Sequence, residues 1–124
     1  GVEIFMGQDE SVVDRLGDYK TRTELDSCAF EGKDVEYYYG SFTMQIAQLE
    51  GKKFVNILWF DDDTVSTDEG LSIGDPRDKV ESLYGADSLD DLSGAYIAEK
   101  DNSKLTIIMD SDDSVKSITY SWVR

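Results

Sequence analysis

Apolar positions along this chain alternate between two spacings. Near residues 9–17, Val12 and Leu16 sit on one side of a short helix that Gly17 can stop. Near residues 75–85, Val80, Leu83 and Tyr84 form an i, i+3, i+4 stripe that ends at Gly85. There Asp75 suits the N-cap and Pro76 the first helical position, where no N–H is needed. Asp78 adds negative charge to that first turn. Val12, Leu16 and Gly17 fall on Val80, Tyr84 and Gly85 at one offset of 68, although the first helix lacks the proline and is shorter.

Period-2 stretches follow each helix. In the first half Tyr37, Tyr38 and Tyr39 lead into a strand at residues 42–46, a hairpin turn at residues 49–52 and a strand from Phe54 to Phe60. In the second half residues 95–98 lead through Asp101, Asn102 and Ser103 to a strand at residues 105–109. Asp110, Ser111, Asp112 and Asp113 form the next turn, and Val115 to Trp122 is the last strand. Phe42, Met44 and Ile46 precede Leu105, Ile107 and Met109 by 63 residues, and Ile57 and Trp59 precede Ile118 and Tyr120 by 61. Three matching blocks in one order predict a tandem repeat, with copies at about residues 1–62 and 63–124, within one α+β domain. Each copy is a short helix followed by antiparallel strands, and the sheet has about eight strands with both helices on one face.

Alternation then assigns the faces. Phe42, Met44, Ile46, Val55, Ile57, Trp59, Leu105, Ile107, Met109, Ile118 and Tyr120 are expected to look inward. Thr43, Gln45, Asn56, Leu58, Phe60, Thr106, Ile108, Ser117, Thr119 and Ser121 are expected on the open face, where Leu58, Phe60 and Ile108 break a small, polar pattern.

Charge narrows the partners. The 124 residues carry 12 Lys and Arg against 27 Asp and Glu, a net charge of −15, which repels nucleic acid and anionic membranes. With 40% hydrophobic residues the chain is not an acidic disordered tail. No His is present, which excludes a Ser-His-Asp triad, a Cys-His dyad and His-ligated zinc. No segment approaches the about 20 apolar residues of a membrane span. Cys28 stands alone and reads as a small half-buried residue, without an intrachain disulfide. The chain begins Gly1-Val2 rather than with Met, as a trimmed or mature fragment does.

Residues Gly70, Ile73, Gly74 and Asp75, then Val80, Tyr84 and Gly85, resemble the glycine-rich lead-in and helix of small secreted lipoproteins with the β-lactamase-inhibitor-protein-like (BLIP-like) fold. The small lipoprotein of the outer-membrane assembly machinery is a related single-copy form. The first copy departs from the signature, with Met6, Gly7, Gln8 and Asp9 where the second has Ile73, Gly74 and Asp75. The resemblance implies a non-catalytic interaction module, extracellular or at the cell surface, lipid-anchored through a removed N-terminal segment, and it calls for no cofactor. It does not imply β-lactamase inhibition, because no contact loop of the inhibitor matches residues here.

The acidic runs are read as solvated loops. Asp110, Asp112 and Ser114 alternate like early calcium ligands, but Val115 stands where the sharp turn needs Gly and Ser121 where a bidentate Glu belongs. Asp61, Asp62 and Asp63, with Asp68 and Glu69, follow a strand end. Among so many acids some pair comes close in any fold, so glycosidase-type chemistry draws little support. The expected site is a partner-binding face of Tyr38, Thr43, Gln45, Asn56, Leu58, Phe60, Thr106, Ile108 and Thr119, with aromatic anchors in a polar surround. Its partner is another protein, or a cell-wall glycan stacking on Tyr38. On this reading Phe60→Asp abolishes binding and leaves stability nearly unchanged. The competing reading is a calcium-dependent or acidic carbohydrate-binding module, or a carboxylate hydrolase.

Overall fold

The computed structural model describes residues 4, 6–26, 33–100 and 102–123; Cys28 and the turn residue Asp101 lie outside them. Helix α1 (Val12–Leu16) precedes strands β1 (Thr21–Asp26), β2 (Lys33–Tyr38), β3 (Phe42–Leu49) and β4 (Lys52–Phe60). Helix α2 (Arg77–Tyr84) and one 3-10 turn (Ala86–Ser88) precede β5 (Tyr96–Lys100), β6 (Ser103–Met109) and β7 (Val115–Trp122). The strands form one antiparallel sheet of seven, in the order β1-β2-β3-β4-β7-β6-β5, where about eight were expected. From the central pair β4 and β7 the chain meanders outward on both sides.

Helix α2 begins one residue later than its sequence suggests. Pro76 is the N-cap, and the Asp75 carboxylate instead accepts from the Ser72 N–H at 2.8 Å and pairs with Lys79 at 3.0 Å. Gly85 ends the helix at φ 92°, a conformation costly for any residue with a Cβ. The β3–β4 hairpin turns on Glu50 and Gly51, both at positive φ (53° and 77°), the pair of signs a two-residue type I′ turn requires.

Both helices lie on the same face of the sheet, the inner face. Val12 and Val80 are fully buried in one apolar cluster with Met44, Val55, Ile107 and Ile118. Each such side chain contributes about 2 kcal/mol by leaving water.

Strand β4 departs from simple alternation. Gln45 pairs with Ile57 but Ile46 pairs with Val55, so Asn56 is an extra residue, a β-bulge. Val55 points inward; beyond the bulge it is Leu58 and Phe60 that do so, and Ile57 and Trp59 turn to the outer face. Leu58 and Phe60 are both 8% exposed and belong to the core, which corrects their placement on the open face. Hairpin β6–β7 has a bulge of the same kind at Lys116, between the pairs Ile108·Ser117 and Met109·Val115. Before Ile57 the backbone of β4 is taken up by residues 7–10 rather than by β7: Gly7 N–H donates to the Val55 carbonyl (2.7 Å), Val55 N–H to the Gln8 carbonyl (2.8 Å) and Glu10 N–H to the Lys53 carbonyl (3.2 Å).

Candidate functional site

Antiparallel register brings residues on different strands into straight rows. One outer-face row crosses the whole sheet: Thr21, Tyr38, Thr43, Trp59, Thr119, Thr106 and Ile97 are each opposite the next. At about 4.8 Å per strand this row is roughly 29 Å long. Four of the expected partner-binding residues, Tyr38, Thr43, Thr106 and Thr119, stand in it. Ile108 lies two residues along β6 from Thr106 and is 45% exposed, and Tyr38 is 39% exposed. Gln45 and Asn56 sit beside the row, joined by an amide hydrogen bond of 2.7 Å, with Gln45 nearly buried. Trp59, expected inward, is the large residue at the centre of this face. Asp61 is fixed at its edge, accepting from the Thr43 hydroxyl at 2.5 Å.

Period-2 geometry also separates the three tyrosines as the sequence suggests. Tyr37 and Tyr39 pack against the inner core, Tyr39 stacked on Phe42 at 4.9 Å, while Tyr38 faces out. The Tyr39 hydroxyl is buried without a hydrogen-bond partner among the described residues, and burial, with Tyr37 and Tyr19 nearby, pushes its pKa up to about 12.

The acidic turns engage their carboxylates locally. Asp112 accepts from the hydroxyl of Ser114 at 2.5 Å and from its N–H at 3.1 Å, and Asp62 accepts from Thr64 in the same way, at 2.5 and 2.9 Å. Those bonds hold both groups below the usual carboxylate range. Asp113 accepts from Arg77, whose guanidinium also donates to the Tyr96 hydroxyl at 3.0 Å. Tyr96 in turn donates to Glu81 at 2.5 Å. This chain of bonds ties α2 to β5 and the β6–β7 turn. Among the described residues no three acidic or thiol side chains gather as metal ligands do.

Sequence reasoning did not find a second concavity, on the inner face. Over the buried inner face of the sheet a cleft of about 940 Å³ is lined by both helices, by Ile4 and Met6, and by the loop from Val65 to Glu69. Phe42, Leu58, Phe60 and Tyr120 line it from the sheet, and Leu16 and Leu83 line it from the two helices. Asp68, Glu69, Glu99 and Lys100 also border it. Tyr84 donates to Glu69 at 2.8 Å, so the Thr67 hydroxyl, 2.7 Å away, donates to Tyr84 and accepts from the Leu71 N–H at 3.1 Å. Burial raises the Tyr84 pKa; the neighbouring Glu69 and Asp68 carboxylates add to burial in raising that of Tyr120. Both hydroxyls therefore stay neutral well above neutral pH.

Comparison of this chain with protein-family models, with curated proteins and with solved structures found no match to any of them.

Proposed function

We propose that the chain is a non-catalytic protein-binding module of the bacterial cell envelope, BLIP-like in organisation, whose partner docks on the outer face across the row centred on Trp59. The observation that carries this reading is that row. A tryptophan lies midway between a half-exposed tyrosine and an isoleucine pair, Ile97 and Ile108, and the positions between are threonines. Large rigid anchors amid small polar groups are what binding hot spots are made of. The envelope setting follows from the likeness of the segment around Gly74, Val80 and Tyr84 to small secreted lipoproteins.

The two bulges support a repeat. Aligned on them, β3 corresponds to β6 at an offset of 63 and β4 to β7 at 60, which matches Phe42 with Leu105, Met44 with Ile107, Leu58 with Ile118 and Phe60 with Tyr120. All eight are inner-face residues. Trp59 and Thr119, which face each other, then exchange places about a local two-fold axis. A net charge of −15 selects a neutral or basic partner surface.

The test is capture from an envelope extract on immobilised wild type, Trp59→Ser, Ile108→Asp and, as an inner-face control, Leu83→Trp. A protein held by wild type and the control but lost from both outer-face variants, with thermal melts unchanged, is the expected result. Equal retention by Trp59→Ser refutes the assignment of the face.

A further inference from the structure

The inner cleft faces away from the proposed partner row, and its composition is that of a small-molecule site. Its volume of about 940 Å³ lies within the range of about 300–1,000 Å³ typical of ligand pockets. A folded partner or an extended peptide needs more surface than such a cleft offers. The sheet residues of the lining are hydrocarbon and aromatic ring, whereas Asp68 and Glu69 bring two carboxylates against the one ammonium of Lys100; Glu99, on the edge strand, alternates with Ile97 toward the other face. Among the described residues none of Asp68, Glu69, Glu99 and Lys100 takes part in an ion pair. Glu69 is held in the lining by the Thr67–Tyr84 hydrogen-bond relay, so its carboxylate is positioned in advance of any ligand.

We propose that this cleft binds an amphiphilic organic cation, an ammonium head on a single apolar chain or ring. The apolar body lies on Phe42, Leu83 and Tyr120, the half-buried apolar residues of the lining, and the head is received by Glu69 and Asp68. Tyr120, whose ring is in the lining and whose hydroxyl is near both acids, adds its π face to the attraction for the cation. An anionic amphiphile of the same length meets the same apolar residues but is repelled by the two acids. The net charge of the whole molecule strengthens that discrimination.

The test is calorimetric titration of the full chain at 0.15 M NaCl with octylammonium, octanol and octanoate. Octylammonium is expected to bind about tenfold or more tighter than octanoate, with octanol between them. Glu69→Gln should narrow that preference to within about threefold, since only the charge at the head is removed. Leu83→Trp from α2 and Ala98→Met from β5 fill the cleft without altering net charge. Each should abolish binding, and circular-dichroism melts report that each has folded. Trp59→Ser on the other face should bind octylammonium as wild type does, so failure of the outer-face reading leaves this one standing. Three results overturn it: octanoate binding as well as octylammonium, octylammonium binding that survives both filling variants as a general attraction to an acidic protein, or no binding at millimolar concentration.

Discussion

Stacking on Phe42 gives the Tyr39 ring a place in the core, but its hydroxyl is buried where nothing among the described residues can bond it. Removing that oxygen removes a desolvation cost without exposing any apolar surface. Tyr39→Phe should therefore raise stability by up to about 1 kcal/mol in urea titrations. The same burial sets a pH dependence. Tyr39 ionises near pH 10 when unfolded and near pH 12 when folded, so its contribution is intact below pH 10 and is lost as pH rises through that window. Tyr39→Phe should flatten the alkaline fall in stability measured between those pH values. Phe60 is the opposite case. Its ring is 8% exposed and lines the cleft, so Phe60→Asp buries a carboxylate and should cost at least about 3 kcal/mol in the same assay. A neutral effect would put the ring on the outer face after all.

Strand β4 sets the limit of what could be read without the structure. Both helices, the two central hairpins and the inward set on β3 and β6 follow from periodicity, because each alternates cleanly or carries a full helical stripe. In β4 the run Ile57, Leu58, Trp59, Phe60 is apolar at every position, so its own pattern cannot say which pair looks inward. The bulge at Asn56 decides it, and one inserted residue exchanges the faces of all that follow. The usable signal was the spacing: an offset of 60 sets Leu58 and Phe60 against Ile118 and Tyr120, whereas 61 sets Ile57 and Trp59 there. Strand β1 went unread for a different reason. Thr-Arg-Thr-Glu-Leu-Asp is the charged, weakly alternating sequence that suits a sheet edge. Of the candidate partner face, Tyr38, Thr43 and Thr106 were legible because their strands alternate cleanly, and Thr119 because Ile118 and Tyr120 alternate around it past the bulge at Lys116. Helix α2 offers an element-scale test. Tyr96, 1% exposed, accepts a hydrogen bond from Arg77 and donates one to Glu81, so Tyr96→Phe should cost about 1 kcal/mol. Asp113, whose side chain is 72% exposed, should tolerate Ala with no measurable change in Tm.

For the molecule as a whole, a net charge of −15 is the dominant long-range term, since among the described residues few of the acids lie beside a base. Raising salt from 0.01 to 0.15 M shortens the screening length from about 30 to about 8 Å, and Tm should rise as self-repulsion fades. A falling Tm would mean that the few ion pairs outweigh the repulsion. The same charge keeps copies of the chain apart, which matters because of how the sheet is completed. Strand β4 lies in the middle of the sheet, yet part of its backbone is closed by residues 7–10 rather than by another full strand. Gly7 sits there at φ 81°, so close to the Trp122 indole that a Cβ would lie 2.7 Å from Nε1. Were that short segment to peel away, it would uncover an unsealed notch in the centre of the sheet, not at its rim. An extended stretch of another chain could latch into such a notch, so the segment at residues 7–10 is also a guard against strand exchange.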